Sequence, residues 1–457
     1  MINNDLTDTI SAIATVIGTG GVSIIRLSGE NSQEIIEKIF FKNKKFDKID
    51  FTANSITHGY IFDNKTLLDE VIVLYFKAPN SYTGENVFEI QCHGGVNITK
   101  AIFDLTLKNG ARIAQRGEFT KRAFINGKLD LSQAEAVLDI ISAKTEKFAK
   151  LSANNLCGKL AEKINILRDE VITILSHIGA AIDFPEEVEE PDYDNVIKEL
   201  EKIIKEIDVI LRGAKNSNLM RQGLKIAIVG KPNVGKSSLF NSLLHYERAI
   251  VTDIAGTTRD IISENIDING IPATLIDTAG IREIANEDDA QKVENIGIEY
   301  SKRSIEEADI VIFVTDLSRK ITQEDKDIYD LVQNKKHLII GTKSDLEEKN
   351  KNFKLNLKVS NKTQIGIEKL IELLGEFLVI EHNSEETEFL TNARQQESLE
   401  NSKNALCNAI LGLQNRVEQD FIAIDIKSAL MHLGEITGDD ITQEILNNIF
   451  ETFCIGK

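Results

Sequence analysis

The run Gly230-Lys231-Pro232-Asn233-Val234-Gly235-Lys236-Ser237 has the residue types and spacing to hold a chain of phosphates. Glycines let the backbone curl until its N–H groups converge on phosphate oxygens. Lys236 adds a point charge for the β- and γ-phosphates, and the Ser237 hydroxyl is placed to bind Mg²⁺. Asn233, Val234, Gly235 and Ser238 complete the cradle. A helix expected from Ser238 to His245 aims its positive dipole end at the same anion. In isolation the run could be a chance glycine-rich turn. Its place between the apolar strand Leu224–Val229 and that helix predicts a phosphate loop.

Two further runs can complete a nucleotide site. Asp277-Thr278-Ala279-Gly280 follows an apolar strand expected over Ala273–Ile276. There Asp277 can reach the metal shell and Gly280 can give its N–H to the γ-phosphate. Thr342-Lys343-Ser344-Asp345 follows a strand expected over His337–Ile340. Asp345 would accept bonds from the ring N–H and the exocyclic amine of guanine, a pair adenine does not offer. A site built this way discriminates by up to about 10⁴–10⁵. Either run alone is compatible with an ordinary turn. Order and spacing of all three on alternating strands and helices predict a guanine-nucleotide site.

The elements that must position these residues can be read from periodicity. From Leu224 to about Ile380 strand and helix alternate, with further strands over Ile262–Ile268, Asp309–Thr315 and Leu355–Val359, as in a mostly parallel α/β sheet. Before it, Gly21–Leu27, Val71–Phe76 and Val87–Cys92 read as strands and Ile98–Leu107 as a helix. From Leu129 the pattern turns helical. Ser132 and Glu135 have capping-box spacing. Ile164, Leu167, Val171, Leu175 and Ile178 share one helical face, and Ile197, Leu200, Ile204, Ile207 and Leu211 share another. An acidic stretch, Asp183–Asp194, carries Pro185 and Pro191, and Gly213–Gly223 reads as a linker. From Glu385 onward the pattern is helical again, so the α/β segment is inserted between two helical ones.

The chain has 457 residues, enough for several cores,. Its net charge of −19 argues against coating nucleic acid through a broad basic face,. The cysteines Cys92, Cys157, Cys407 and Cys454 form neither a disulfide framework nor zinc spacing, which fits a reducing, cytoplasmic setting,. Neither a signal peptide nor a long apolar span is expected, so no membrane is.

Beyond these runs, Thr252-Asp253-Ile254-Ala255-Gly256-Thr257-Thr258-Arg259-Asp260 is similar to the first switch of the group that includes Era- and EngA-type GTPases. The ending Cys454-Ile455-Gly456-Lys457 is a C-x-G-K tail. Two more blocks, Arg116–Phe124 with Gly127–Leu131 and Leu433–Gly438, complete a resemblance to the MnmE (TrmE) family of tRNA modification GTPases over essentially the whole chain. The resemblance implies a multidomain α/β and α+β fold: an N-terminal α+β folate-binding and dimerising domain (1–121), a discontinuous helical domain (122–219 and 381–457), and an inserted P-loop GTPase domain (220–380). It implies a homodimer, a flavoprotein partner of the MnmG type that carries FAD and uses NADH, a heterotetramer of the two, and tRNA bound mainly within that complex. The implied reaction places a carboxymethylaminomethyl or aminomethyl group at C5 of the tRNA wobble uridine, with a one-carbon unit from a tetrahydrofolate derivative.

The resemblance also assigns residues. Asn233, Thr252, Ile254 and Thr257 match potassium ligands, and K⁺ would stand where other GTPases use an arginine finger worth about 10³–10⁵ in rate. Thr258 matches the second Mg²⁺ ligand. Glu294 matches a glutamate that orients the attacking water, although its residue type alone suggests a solvated helix charge. Arg26, Glu89, Lys128 and Lys457 match folate contacts, with basic groups suited to glutamate carboxylates and Glu89 to the donor edge of a pterin. Alternatives are a surface pair for Arg26 and Lys128 and a frayed tail for Lys457. Cys454 could be a catalytic thiol if its pKa were lowered.

Three features depart from the family pattern. The base-specificity run usually opens with Asn where this chain has Thr342, and a hydroxyl cannot supply both an amide donor and an acceptor. Weaker nucleotide binding is expected from that change, with guanine preference kept by Asp345. The late run reads Ser360-Asn361-Lys362 where Ser-Ala-Lys is common, leaving Ser360 as a nucleotide contact. The segment Gly280–Glu294 is longer than usual and carries Glu287-Asp288-Asp289. Two rival functions are a ribosome-assembly GTPase and a non-catalytic, nucleotide-gated scaffold.

Overall fold

A computed structural model describes residues 8–47, 49–246, 263–277, 303–349, 353–378, 390 and 392–457. The chain divides into two compact units. One comprises Met1–Leu138, Asn155–Ile197 and Asn401–Lys457, the other Asp139–Asn154 and Lys198–Glu400.

The first unit holds seven strands: β1 (Ile10–Ile13), β2 (Val22–Ser28), β3 (Phe40–Phe41), β4 (Ser55–Asp63), β5 (Thr66–Phe76), β6 (Val87–His93) and β7 (Arg112–Ile113). They form a sheet in the order β3-β4-β5-β6-β2-β1-β7, antiparallel except for the β1–β7 pair. Side chains alternate across a strand. Ile25 and Leu27 of β2 and Phe88 and Ile90 of β6 therefore point to one face, where they pack with Ile35, Ile36 and Ile102 from the helices Ser32–Ile39 and Val96–Lys108. Arg26 and Glu89, directly opposite in register, must point to the other face. Helices from the two sides of the α/β segment also meet here. Leu160, Ile164, Leu167, Val171, Ile174 and Ile178 are the buried stripe of Lys159–Asp183, and Ile422, Ile426, Ala429, Leu433 and Ile436 that of Gln419–Thr437; the two helices pack along each other. Among the described residues no helix is long and apolar enough to cross a membrane.

The second unit holds β8 (Leu224–Val229), β9 (Ser263–Ile268), β10 (Ile271–Asp277), β11 (Ile310–Asp316), β12 (His337–Thr342) and β13 (Leu357–Lys358). Their order is β13-β12-β11-β8-β10-β9, parallel except for the β9–β10 hairpin. Central parallel strands are covered on both faces and so read as continuous apolar runs. Ile226, Ile228, Ile312 and Val314 pack under Leu239, Leu243, Leu370 and Leu374 on one side. Ala227, Val229, Val311 and Phe313 pack under Ile305, Ala308 and Val332 on the other. Strand β8 has β10 on one flank and β11 on the other, so chain connections diverge there and open a crevice at its carboxyl end,.

Two local expectations are corrected. Gly213–Gly223 is not a linker, because the helix Tyr193–Gln222 runs through it. Ala214, Ser217 and Met220 recur at helical spacing and are buried, and the helix stops only at Gly223, whose φ is +76°. Small and polar residues there form a packed stripe rather than a solvated loop. The capping box also lies two residues earlier than Ser132–Glu135. The helix begins at Leu131. Asp130 Oδ1 accepts the Gln133 N–H at 3.0 Å, and Gln133 Oε1 accepts the Asp130 N–H at 2.9 Å.

Candidate functional site

The phosphate loop lies at the carboxyl end of β8. Gly230 has φ +152°, and a Cβ on it would stand 2.3 Å from the Val314 carbonyl oxygen of neighbouring β11. Only glycine lets the chain leave the strand so close to its neighbour. Asn233 and Gly235 follow at φ +61° and +102°, completing the curl into the helix Lys236–Tyr246. Lys236 is buried at the loop's centre, its Nζ donating to the carbonyls of Gly230 and Lys231 at 2.9 Å each. Ser237 and Ser238 are exposed at the helix's first turn. Val234 is buried and Asn233 is exposed, its side chain making no hydrogen bond among the described residues. Lys231 fastens the loop from outside: its Nζ donates to Thr322 Oγ1 at 2.5 Å and pairs with Glu324 and Asp325, which open the helix Gln323–Val332.

The base-side run is built from the ends of β11, β12 and β13. Thr342 is fully buried, and its Oγ1 donates to the Val234 carbonyl at 2.5 Å, with the Thr315 carbonyl 3.1 Å away. Lys343, at φ +59°, sends Nζ to Asp316 Oδ2 at 2.6 Å and to the Asn233 carbonyl at 3.2 Å. Burial alone would raise the Asp316 carboxyl, but bonds from Lys343 and Ser318 outweigh it and hold the group below the usual carboxylate range. Asp345 is exposed. Ser360 Oγ donates to its Oδ1 at 2.7 Å, and that bond lowers the Asp345 pKa. The Ser360 hydroxyl in turn accepts the Thr363 N–H at 3.3 Å. Ser344 lies beside this pair, its N–H donating to the Val359 carbonyl.

Asp277 ends β10 opposite Ile228, close in register to the phosphate loop; its side chain lies outside the described residues. So do Thr252, Asp253, Ile254, Ala255, Gly256, Thr257, Thr258, Thr278, Ala279, Gly280 and Glu294. The described part brings together Asn233, Val234, Gly235, Lys236, Thr342, Lys343, Asp345 and Ser360. For Mg²⁺, the exposed Ser237 hydroxyl beside Lys236 is a fitting oxygen ligand,. For K⁺, the exposed amide oxygen of Asn233 is another.

A second cluster lies on the far face of the first unit's sheet. Arg26 Nε donates to Glu89 Oε1 at 2.8 Å, and its guanidinium stands 5.6 Å from both the Tyr82 and the Phe119 ring centres. The C-terminal tail docks here rather than fraying. Phe119 N–H donates to the Lys457 carbonyl, Gly117 N–H to the Cys454 carbonyl, and Arg116 pairs with Ile455. Gly456, at φ +96°, lies so close to Ile13 that a Cβ would stand 2.6 Å from its carbonyl oxygen. Burial pushes the Lys457 ammonium pKa down, and Arg26 adds to the shift. Cys454 is exposed. Lys128 Nζ donates to the Pro79 carbonyl at 3.1 Å. Tyr82 and Asp316 escaped the sequence reading, and Phe119 entered it only within the Arg116–Phe124 block, with no role of its own. An apolar strand running into Asp316 was the available signal for that residue; Tyr82 gave none.

Residues 131–454 match the family described as "MnmE helical domain" and residues 9–128 that described as "GTP-binding protein TrmE N-terminus". The tRNA modification GTPase MnmE of Clostridioides difficile (strain 630) is 43% identical over 462 residues, 98% of this chain and 99% of that protein. Its namesake from Thermoanaerobacter pseudethanolicus is 43% identical over 464 residues, again 98% and 99%. A point variant of Aquifex aeolicus Era, solved with GDP·AlF4⁻, is 24% identical, with a TM-score of 0.26, over 40% of this chain and 66% of that one.

Proposed function

The chain belongs to the MnmE family of tRNA modification GTPases and is a GTP hydrolase, and from that premise we propose that it uses GTP cleavage to drive modification of the tRNA wobble uridine at C5. The carrying observation is the phosphate loop of Gly230–Ser237 set in one described unit with the Asp345–Ser360 pair. One part of that unit holds the triphosphate and another reads the base.

Binding follows from the chain's own groups. Lys236 exchanges its bonds to the Gly230 and Lys231 carbonyls for β- and γ-phosphate oxygens,. Backbone N–H groups of the loop and of the helix's first turn are the further phosphate donors in this reading. Asp345, its orientation fixed by Ser360, accepts the two N–H groups of guanine,. Ser237 and Thr258 would hold Mg²⁺; Asn233, Thr252, Ile254 and Thr257 would hold K⁺. Bound there, the two cations neutralise charge that builds on the phosphates as the β–γ bridge breaks. Glu294 orients water in this reading, and Asp277 and Gly280 complete the phosphate side.

The second cluster supports a tetrahydrofolate derivative as one-carbon source. Arg26 and Lys457 supply cationic groups, Glu89 a carboxylate, and Tyr82 and Phe119 flat apolar walls. Cys454 stands exposed at its edge as a candidate thiol. We assign domain limits of 1–121 to the folate part, 220–380 to the GTPase part, and 122–219 with 381–457 to the helical part. The working unit is a homodimer joined to an MnmG-type flavoprotein and tRNA in the cytoplasm. Mass spectrometry of wobble nucleosides from a strain lacking the gene tests this reading. Loss of the C5 aminomethyl-type substituents is expected, and an unchanged nucleoside profile overturns it.

A further inference from the structure

The loop after β13 reaches beneath the phosphate loop. Asn361 Nδ2 donates to the Gly235 carbonyl at 3.3 Å, next to the Val234 carbonyl that takes the Thr342 hydroxyl at 2.5 Å. These carbonyls mark the turn where the phosphate loop becomes a helix, and Gly235 O also accepts the Leu239 N–H at 2.9 Å. Asn361 and Thr342 flank this turn. A Cβ on Gly235 would meet Asn361 Nδ2 at 3.4 Å and Thr342 Oγ1 at 3.7 Å. The Asn361 loop is itself anchored, since Gln364 Nε2 donates to the Asn361 carbonyl at 2.6 Å and to Ser242 Oγ at 3.2 Å on the phosphate-loop helix. Adjacent residues 360 and 361 thus serve two runs: Ser360 donates to the Asp345 carboxylate and Asn361 to a carbonyl of the phosphate loop.

Chemistry fixes which way the amide points. Gly235 O can only accept, so Nδ2 must face it. That leaves Asn361 Oδ1 buried with no donor among the described residues. A buried acceptor without a donor is costly and rare.

Resting on the reading that GTP binds at this loop, we propose that Asn361 is a nucleotide-positioning residue that shares with Thr342 the clamping of the Val234–Gly235 turn, so that the phosphate and base ends of the site stay in register. The clamp is divided: a hydroxyl holds one carbonyl and an amide from another loop holds the next. Asparagine at position 342 tests whether one side chain can serve both carbonyls.

The test is titration of the full chain with N-methylanthraniloyl-GDP and -GTP, comparing wild type with Asn361→Ala, Asn361→Asp and the double variant Thr342→Asn/Asn361→Ala, with thermal unfolding of each measured without nucleotide. Asn361→Ala is expected to weaken both nucleotides by the same factor, about five- to tenfold for one lost hydrogen bond. Asn361→Asp should weaken them more, because an isosteric carboxylate sets an acceptor against the Gly235 carbonyl. The double variant should regain most of the loss. Wild-type affinity in both Asn361→Ala and Asn361→Asp overturns the proposal. So does wild-type affinity in Asn361→Asp alone, which would mean that Asn361 only fills space. Failure of the double variant to bind better than Asn361→Ala overturns the shared clamp. A wild-type chain that binds no guanine nucleotide overturns the functional reading itself, whereas binding by wild type with indifferent variants overturns only this inference.

Discussion

Replacing Asp345 by Asn should turn a guanine site into a xanthine site. The side chain is exposed and Ser360 donates to its Oδ1 at 2.7 Å. The Ser360 hydroxyl gives its proton to that oxygen and receives the Thr363 N–H. In the variant the carbonyl oxygen of Asn keeps the Ser360 bond, and the amide N–H groups turn towards the base. There they meet the exocyclic amine of guanine donor against donor. Two bonds to a charged acceptor are lost, each worth roughly ten- to a hundredfold. GDP affinity should fall about 10²–10⁴-fold, within the range seen when a site built for hydrogen bonds loses its match. Xanthine carries an oxo group at the same carbon, which accepts from the new amide, so XDP should bind better than GDP. Calorimetric titration with GDP and XDP reads both numbers, and thermal unfolding without nucleotide checks that an exposed substitution leaves the fold intact. A GDP affinity within about threefold of wild type, or no gain for XDP, refutes the reasoning.

Other consequences are equally open to measurement. GTP turnover should be strongly faster in KCl than in NaCl, and Asn233→Ala should abolish the difference; equal wild-type rates in the two salts refute the potassium assignment. Arg26→Ala should weaken calorimetric binding of 5-formyltetrahydrofolate by at least about tenfold, since it removes a guanidinium 5.6 Å from each of two aromatic rings,; undiminished affinity excludes that ligand from this face. Arg122 is fully buried and bonded to Asp8, Glu85 and Glu118, so Arg122→Met should cost about 3 kcal/mol in urea unfolding, as Arg112 still pairs with Glu118,. The pH dependence has a definite sign. The Arg112 bond lowers Asp8, and bonds from Arg112, the Gln115 N–H and Arg122 overcome burial to lower Glu118. Their stabilisation is complete above the unfolded-state pKa and is lost as pH falls through the lower folded values, so the gap between wild type and variant should narrow on acidification. A gap that widens in acid contradicts the assignment.

What could be read from the sequence follows a physical line. The phosphate loop was legible because its job fixes both residue types and spacing along one continuous segment: Gly230 must approach Val314, and Lys236 must follow the curl. The central strands were legible because burial on both faces makes them apolar throughout. The partnership of Arg26 with Glu89 was not legible from periodicity. It is created by a strand register between residues far apart in the chain, and only the family resemblance suggested it. The run Gly213–Gly223 misled because its small residues look like a loop until the packing of Ala214 and Ser217 is known. Ser132 and Asp130 both have an acceptor three residues before a Gln or Glu. The choice between them falls to Leu131, whose complete burial starts the helix early. Strand β4 was missed because its alternation exposes Ile56 and buries Gly59, opposite to what composition suggests. From its residue type, Thr342 should weaken the base site. In the structure its hydroxyl donates to the Val234 carbonyl, a tether that spacing alone could not show.

Release of inorganic phosphate by the full chain, with Mg²⁺ and KCl present and GTP or ATP as substrate, tests the central claim most directly. Phosphate release from GTP and little from ATP is the expected result. No release from GTP, or equal release from both nucleotides, contradicts it.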